Sequence, residues 1–311
     1  MEKIQIITYI IGCIGALSNG MVLLVIGKSK LLRKKLVNQY FANQSGIDLC
    51  ASVMLIVSYL DINPDYSKPT GDFICKIWTS RVLLWSLLMS STYNLVITSL
   101  DRYVQIVHPI WHKNVITDCK VRLMFVAAWL SGFVWNVPMI ISTTGIRNSE
   151  CVGVGLWPNV QIQHGVGILG IILQYFIPLG VLIFSYTRIL MILKKKRNVT
   201  NLIVVQNSQG QGQVHEKGQQ NVIKTLVMVS VAFVACFTMN QMLFLYHNLG
   251  GYLDFTSFMY HASVILVFLN CCINPFVYMI KYKHFRKGLA DIFNRNNQVS
   301  VQMDDTTESR M

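Results

Sequence analysis

Seven stretches of this chain carry almost no charge: residues 4–27, 36–60, 77–100, 123–146, 160–187, 225–249 and 255–280. Five hold no Asp, Glu, Lys or Arg; the second holds only Asp48 and the third only Arg81. A helix of about 20 apolar residues crosses roughly 30 Å of hydrocarbon, and every stretch is long enough. One such stretch would suit the core of a soluble domain, but seven in a row leave too little polar chain to cover them in water. The chain is 53% hydrophobic and 13% charged, and that charged share is about half of what a soluble domain carries. Inside a bilayer every backbone N–H and C=O needs an internal partner, which helices supply. The sequence therefore predicts an all-α membrane protein, a seven-transmembrane helix bundle. The first stretch is too long for a signal-peptide core and runs into further apolar residues, so it reads as helix 1. The little chain before it argues against a large ligand-binding ectodomain.

Loop charge orients the bundle. Segments 28–35, 101–122, 188–224 and 281–311 together hold 22 Lys and Arg, against 4 on the other face (Lys3, Lys68, Lys76 and Arg147). Positive residues stay on the cytoplasmic side, which places the N-terminus outside and the C-terminus inside. The net charge of +13 is mostly this bias, so a nucleic-acid partner is not needed to explain it. Clusters such as Lys194-Lys195-Lys196-Arg197 suit contact with anionic membrane lipid. Residues 198–221, rich in Gln, Asn and Gly, read as a flexible loop. Residues 1–293 form the membrane domain in this reading, and 294–311 a disordered cytoplasmic tail.

Of eight cysteines, Cys75 and Cys151 fall on the outer face, where disulfides persist; a bridge between them would pin the loop after helix 4 over helix 3. The others read as free thiols. The Asn43 and Asn198 sequons lie in a helix and in the cytoplasm, so neither should carry sugar.

Polar groups inside a bilayer are costly and mark function by default. Asp48 is the clearest, and Asn19, Ser91, Asn270 and Asn274 could converge on it. Two readings stay open: an interhelical hydrogen-bond network, or a sodium or proton site that biases conformation. Asn274-Pro275 interrupts the seventh helix's hydrogen-bond ladder, because proline has no N–H. Pro138 and Pro178 read as kinks in helices 4 and 5. Asp101-Arg102-Tyr103 sits at the cytoplasmic end of helix 3. Alone that tripeptide is common, and its place at the inner end of the third of seven helices makes it informative.

Together these residues resemble the rhodopsin-like (class A) family of G-protein-coupled receptors, in order over nearly the whole chain. The matches are Gly15 to Asn19, Asn43 and Asp48, Cys75, Asp101-Arg102-Tyr103 followed by His108-Pro109, and Trp129. Then come Cys151, Pro178 and Tyr186, Cys236-Phe237, and Asn274-Pro275-Phe276-Val277-Tyr278. Lys281 to Leu289, with Phe285, looks like the family's short amphipathic eighth helix on the inner membrane surface. The resemblance implies a plasma-membrane receptor, not an enzyme, that binds an extracellular ligand among the outer ends of helices 3, 5, 6 and 7. Helix 6 then swings outward at the cytoplasmic side, and a heterotrimeric G protein enters the opened cavity against Arg102. It further implies that Tyr186 and Tyr278 restack toward Arg102, and that Asp48, Ser91, Asn270 and Asn274 hold sodium, the only ion implied, at rest.

Some positions depart from the family's pattern. Phe237 and Met239 stand where helix 6 usually carries Trp and Pro, so the usual cause of its kink is missing. Cys75 to Arg102 is two residues longer than usual. Gln219 replaces the acid that often pairs with the arginine of the triplet, which predicts a weak resting clasp. Leu84 stands where amine receptors carry their Asp, and residues 255–280 lack the lysine an opsin needs. An expected pocket of Arg81, Leu84, Trp85, Gln174, Tyr175, Phe237, Gln241, Phe244, Tyr260 and His261 is more similar to those of peptide receptors, with Arg81 suited to an acidic group. The rival readings are a seven-helix transporter or channel, and a receptor that binds without signalling.

Overall fold

The computed structural model describes residues 2–60, 65, 66, 68, 70–204, 210–283 and 285–291, without the side chains of 2, 3, 196–204 and 210–219. Seven helices long and apolar enough to cross a membrane are present among the described residues. They are α1 (Glu2–Lys28), α2 (Leu36–Ser58), α3 (Val82–Val107), α4 (Asp118–Thr143), α5 (Val160–Ile171, Ile172–Phe176 and Ile177–Val204 in continuous run), α6 (Gly210–Asn248) and α7 (Phe258–Lys281). The strands β1 (Gly145–Arg147) and β2 (Glu150–Val152) pair antiparallel between α4 and α5. Their two-residue turn, Asn148-Ser149, has both φ values positive, the backbone twist that a tight hairpin demands.

Many of the polar side chains in the apolar stretches are satisfied within the helix or by a neighbour. Ser52, Ser86 and Ser230 donate to the carbonyls of Asp48, Val82 and Leu226, four residues back, a habit of hydroxyl residues in apolar helices. Thr117, Asn159 and Ser257 cap α4, α5 and α7 by accepting from the backbone N–H groups of Lys120, Ile162 and Tyr260. Large apolar side chains face outward, among them Leu17, Val134 and Ile183, as a surface in contact with acyl chains requires. In the most apolar window of α3 78% of residues are buried, against 22% for α4 and α5. α3 is therefore the central post and α4 and α5 peripheral.

Close approach is set by small residues. A Cβ built on Gly132 of α4 would lie 1.9 Å from the Ser86 carbonyl oxygen of α3, so only glycine lets these helices meet. Ser90 then reaches across to donate to the Trp129 carbonyl at 2.7 Å.

Several expectations need correction. The third helix does not start at 77. Cys75–Thr79 forms a wide π turn and Arg81, at φ 54°, is left-handed. Together they absorb the extra residues between Cys75 and Arg102, and Arg81 precedes α3 instead of lying on its face. Pro178 follows the π turn Ile172–Phe176, where the missing N–H is accommodated and the Leu173 carbonyl accepts from Tyr93 at 3.0 Å. Residues 198–204 and 210–221 are helical, not loop, since Lys, Arg, Gln and Glu are good helix formers once a helix has been nucleated in the membrane. The fourth helix ends at Thr143, and 145–147 are strand. The expected disordered tail 294–311 and the side chain of Gln219 lie outside the described residues. Residues 285–291 are helical, with Phe285 and Gly288 buried and Arg286 and Lys287 exposed, an amphipathic pattern.

Candidate functional site

The expected disulfide is formed: Cys75 and Cys151 are bonded, tying β2 to the turn before α3. A cleft of ≈ 220 Å³ opens near the start of α3. Arg81, Trp85, Tyr260 and His261 line it, with Ile4, Gln5 and Thr8 of α1, Tyr59 at the end of α2, and Val264, Ile265 and Phe268 of α7. The left-handed turn at Arg81 swings its guanidinium over the Tyr59 ring, 3.9 Å from the centroid. Its Nη1 donates to the Tyr59 hydroxyl at 3.2 Å. Among the described residues no carboxylate lies within salt-bridge distance of Arg81.

This cleft lies between α1, α2, α3 and α7, and holds Arg81, Trp85, Tyr260 and His261 of the residues expected to form a ligand pocket. Leu84, Gln174, Phe237, Gln241 and Phe244 do not line it. Leu84 is wholly buried. Phe237 packs on Phe233 at 4.8 Å, and Phe244 packs on Phe255 and Tyr260. Tyr175 is spent between α5 and α6, its hydroxyl 2.6 Å from Thr238 Oγ1.

Asp48 sits at the centre of the bundle, fully buried. Its Oδ1 accepts from Ser91 Oγ at 2.7 Å. Its Oδ2 accepts from Asn274 Nδ2 at 2.7 Å and from Gln44 Nε2 at 3.1 Å. Ser91 and Asn274 meet Asp48 as the sequence suggested. Asn270 is buried but makes no hydrogen bond to Asp48. Asn19 donates to the Cys271 carbonyl at 2.7 Å, linking α1 to α7 instead. Gln44 was missed, although it lies four residues before Asp48 and so on the same face of α2. Sodium takes oxygen lone pairs; Asn274 Oδ1 is buried without a hydrogen-bond partner, but Gln44 Nε2 stands on both Asp48 Oδ2 and the Ser91 oxygen, at 3.1 and 2.6 Å, and takes the oxygens an ion would need together. The residues present do not fit the implied ion.

At the C-terminal end of α3, Asp101 is paired with the Arg102 guanidinium, their side chains 1% and 8% exposed. Arg102 Nη1 also donates to Gln105 at 2.6 Å. The second Asp101 oxygen meets His112 Nε2 at 2.9 Å. The short helix Pro109–Val115 turns His112 back under α3. Tyr103 packs on Phe184 of α5, and Tyr186 is buried on α5. Tyr278 stacks on Phe41 of α2 at 4.4 Å, just after Pro275 in α7. Neither Tyr186 nor Tyr278 bonds to Arg102 in this structure. α6 runs without an interior proline from Gly210 to Asn248.

Residues 18–278 match the family model for the seven-transmembrane receptors of the rhodopsin family. The chain is 24% identical to galanin receptor 2a of Danio rerio over 93% of its own length and 77% of the relative's. It is 24% identical to cannabinoid receptor type 1B of Takifugu rubripes over 98% and 66% of the two lengths. It is 26% identical to type-1 angiotensin II receptor B of Xenopus laevis over 93% and 78%. The fold is similar to that of squid rhodopsin, with a TM-score of 0.74 at 17% identity over 94% of this chain and 85% of that one. With a disulfide-bridged hairpin, a buried carboxylate hub, a buried Asp–Arg pair at the C-terminal end of α3 and a family match across all seven helices, this chain belongs to the rhodopsin family of seven-transmembrane receptors.

Proposed function

We propose that this multi-pass G-protein-coupled receptor takes an extracellular peptide ligand with an acidic group and activates a heterotrimeric G protein. The observation that carries the reading is the buried Asp101–Arg102 pair at the inner end of the central helix. A buried guanidinium held by its neighbour is a group that a partner can capture only by breaking that pair, which is what a two-state switch needs. The loop charge supports an inner face at this end, with the N-terminus outside. Arg81 at the cleft, without a carboxylate partner among the described residues, supports an acidic ligand group. The galanin and angiotensin II receptors among the relatives support a peptide. The cannabinoid receptor among them keeps a non-peptide ligand as a competing class.

In this mechanism ligand and G protein each prefer the same conformation, so each raises the affinity for the other by an equal factor. α6 packs along α7 and on the Val160–Ile171 segment of α5, but only marginally on α3 and on the Ile177–Val204 segment of α5, so its cytoplasmic half can part from α3 at little cost. Without a proline kink it moves as a rod about the Phe233–Phe237–Tyr175 aromatic contact. Tyr186 and Tyr278 then turn from their present packing toward the freed Arg102.

The test is ligand-promoted GTP exchange in membranes expressing the chain, screened with acidic and neutral peptides and acidic lipids. Exchange that rises with an acidic peptide, falls at least tenfold in potency in Arg81→Ala (about 1.4 kcal/mol) and disappears in Arg102→Ala supports the reading. Ligand binding without exchange would favour a non-signalling receptor, which the Phe237 and Met239 departures suit. Substrate flux in proteoliposomes would favour a transporter.

A further inference from the structure

Four side chains lead to Asp48 in single file. Trp129 Nε1 of α4 donates to Asn43 Oδ1 at 3.1 Å. Asn43 Nδ2 donates to Asn94 Oδ1 at 2.7 Å, and Asn94 Nδ2 to Gln44 Oε1 at 2.7 Å. Gln44 Nε2 then donates to both Asp48 Oδ2 and Ser91 Oγ. Gln44, Asn94, Ser91 and Asp48 are all nearly or wholly buried.

The direction of this chain of bonds follows from its ends. An indole has a donor and no acceptor, so Asn43 must present its oxygen to Trp129. Its amide nitrogen therefore faces Asn94, and the same reasoning passes through Asn94 to Gln44. An ionised carboxylate at the far end only accepts. Both ends thus demand the same orientation of all three amides, and reversing any one sets two oxygens or two NH2 groups face to face.

We infer that the Gln44 amide stands in the place of a cation at Asp48, so that this receptor's resting state is held by a built-in N–H group and is insensitive to sodium. For an ion to bind Asp48 and Ser91, Gln44 must turn away, which breaks its bonds to both and strands Asn94 Nδ2. Each net bond lost weakens the ion on the order of fivefold, and three together by roughly a hundredfold. Asn274, beside Pro275, donates to the same carboxylate oxygen, so the amide chain from α4 ends on the kinked segment of α7. The inference concerns the hub alone and does not rest on the ligand or on the G protein.

Its test needs neither. The purified full chain is melted at about 150 mM sodium, potassium or N-methylglucamine chloride, near physiological ionic strength. The wild-type chain is expected to melt within about 1 °C in all three salts. Gln44→Leu removes the amide and is expected to melt roughly 2–4 °C higher in sodium than in the other two, the size expected of an ion held about tenfold below its concentration. If Gln44→Leu does not fold, Gln44→Met is measured in its place. A sodium-specific rise in the wild-type chain overturns the inference, as does a folded variant that remains indifferent to sodium.

Discussion

Replacing Gly132 by alanine is the most direct probe of how α4 is held on the central helix. The added methyl would lie 1.9 Å from the Ser86 carbonyl oxygen and 2.7 Å from Ser90 Oγ. The serine hydroxyl can rotate, but the carbonyl belongs to the backbone of α3 and cannot. The helices must therefore separate by more than an ångström. Overpacking of this kind costs about 1–3 kcal/mol, and the Ser90 bond to the Trp129 carbonyl adds about 1 kcal/mol when it is stretched beyond reach. A total of about 2–4 kcal/mol, at roughly 2–4 °C for each, predicts a melting temperature lower by about 4–16 °C. Gly46→Ala is the matched control, because its methyl would meet only Trp129 at 3.8 Å, an ordinary contact; it should melt within about 2 °C of the parent. Thermal unfolding of the purified chain in detergent reads both. If Gly132→Ala melts with the control, the two helices are not held at the separation described, and the placement of Trp129 argued from it fails.

Cys75→Ser opens a bridge between residues 76 apart in sequence and should cost about 2–5 kcal/mol, read as lost cell-surface expression; undiminished expression and melting would refute a stabilising role. Asp101→Asn removes the charge opposite Arg102 and leaves one acceptor oxygen where the carboxylate offers one each to Arg102 and His112. With side chains this buried, about 1.5–3 kcal/mol of clasp is at stake, so ligand-free GTP exchange should rise at least severalfold at matched expression, and an unchanged basal rate would count against the clasp. Between α6 and α7, hydrogen bonds from the Thr256 hydroxyl and amide hold the Asp254 carboxyl below its ordinary value. A lowered pKa stabilises the turn above the unfolded value of 3.8, and that support fades as pH falls through the lower folded value. Thr256 amide protection, corrected for intrinsic exchange, should be constant from neutral pH to about 4 and decline below; a decline near pH 6 would point to another group.

Much of the site was legible in the chain because its residue types are improbable in a bilayer. Asp48, Ser91 and Asn274 stood out as polar groups in apolar helices, and they do meet. Gln44 and Asn94 were equally polar and were passed over, because no rule of spacing says which amide faces which carboxylate across three helices. His112 was invisible for a similar reason: only the turn at Pro109 brings it beneath Asp101. Arg81 was read on a regular helix, when a π turn and a left-handed residue carry its side chain toward Tyr59.

The sequence by itself determined the seven spans and the excess of positive loops on one face, since bilayer thickness and the desolvation of charge act on each segment independently of the others. Those properties are one-dimensional and can be read along the chain. Tertiary structure alone decided which faces meet, because helix rotation and separation depend on contacts such as Gly132 against Ser86, shared between residues far apart in sequence. The direction of the hydrogen bonds into Asp48 is a result of that packing: it requires Trp129, Asn43, Asn94 and Gln44, from three helices, to be brought within bonding distance at once.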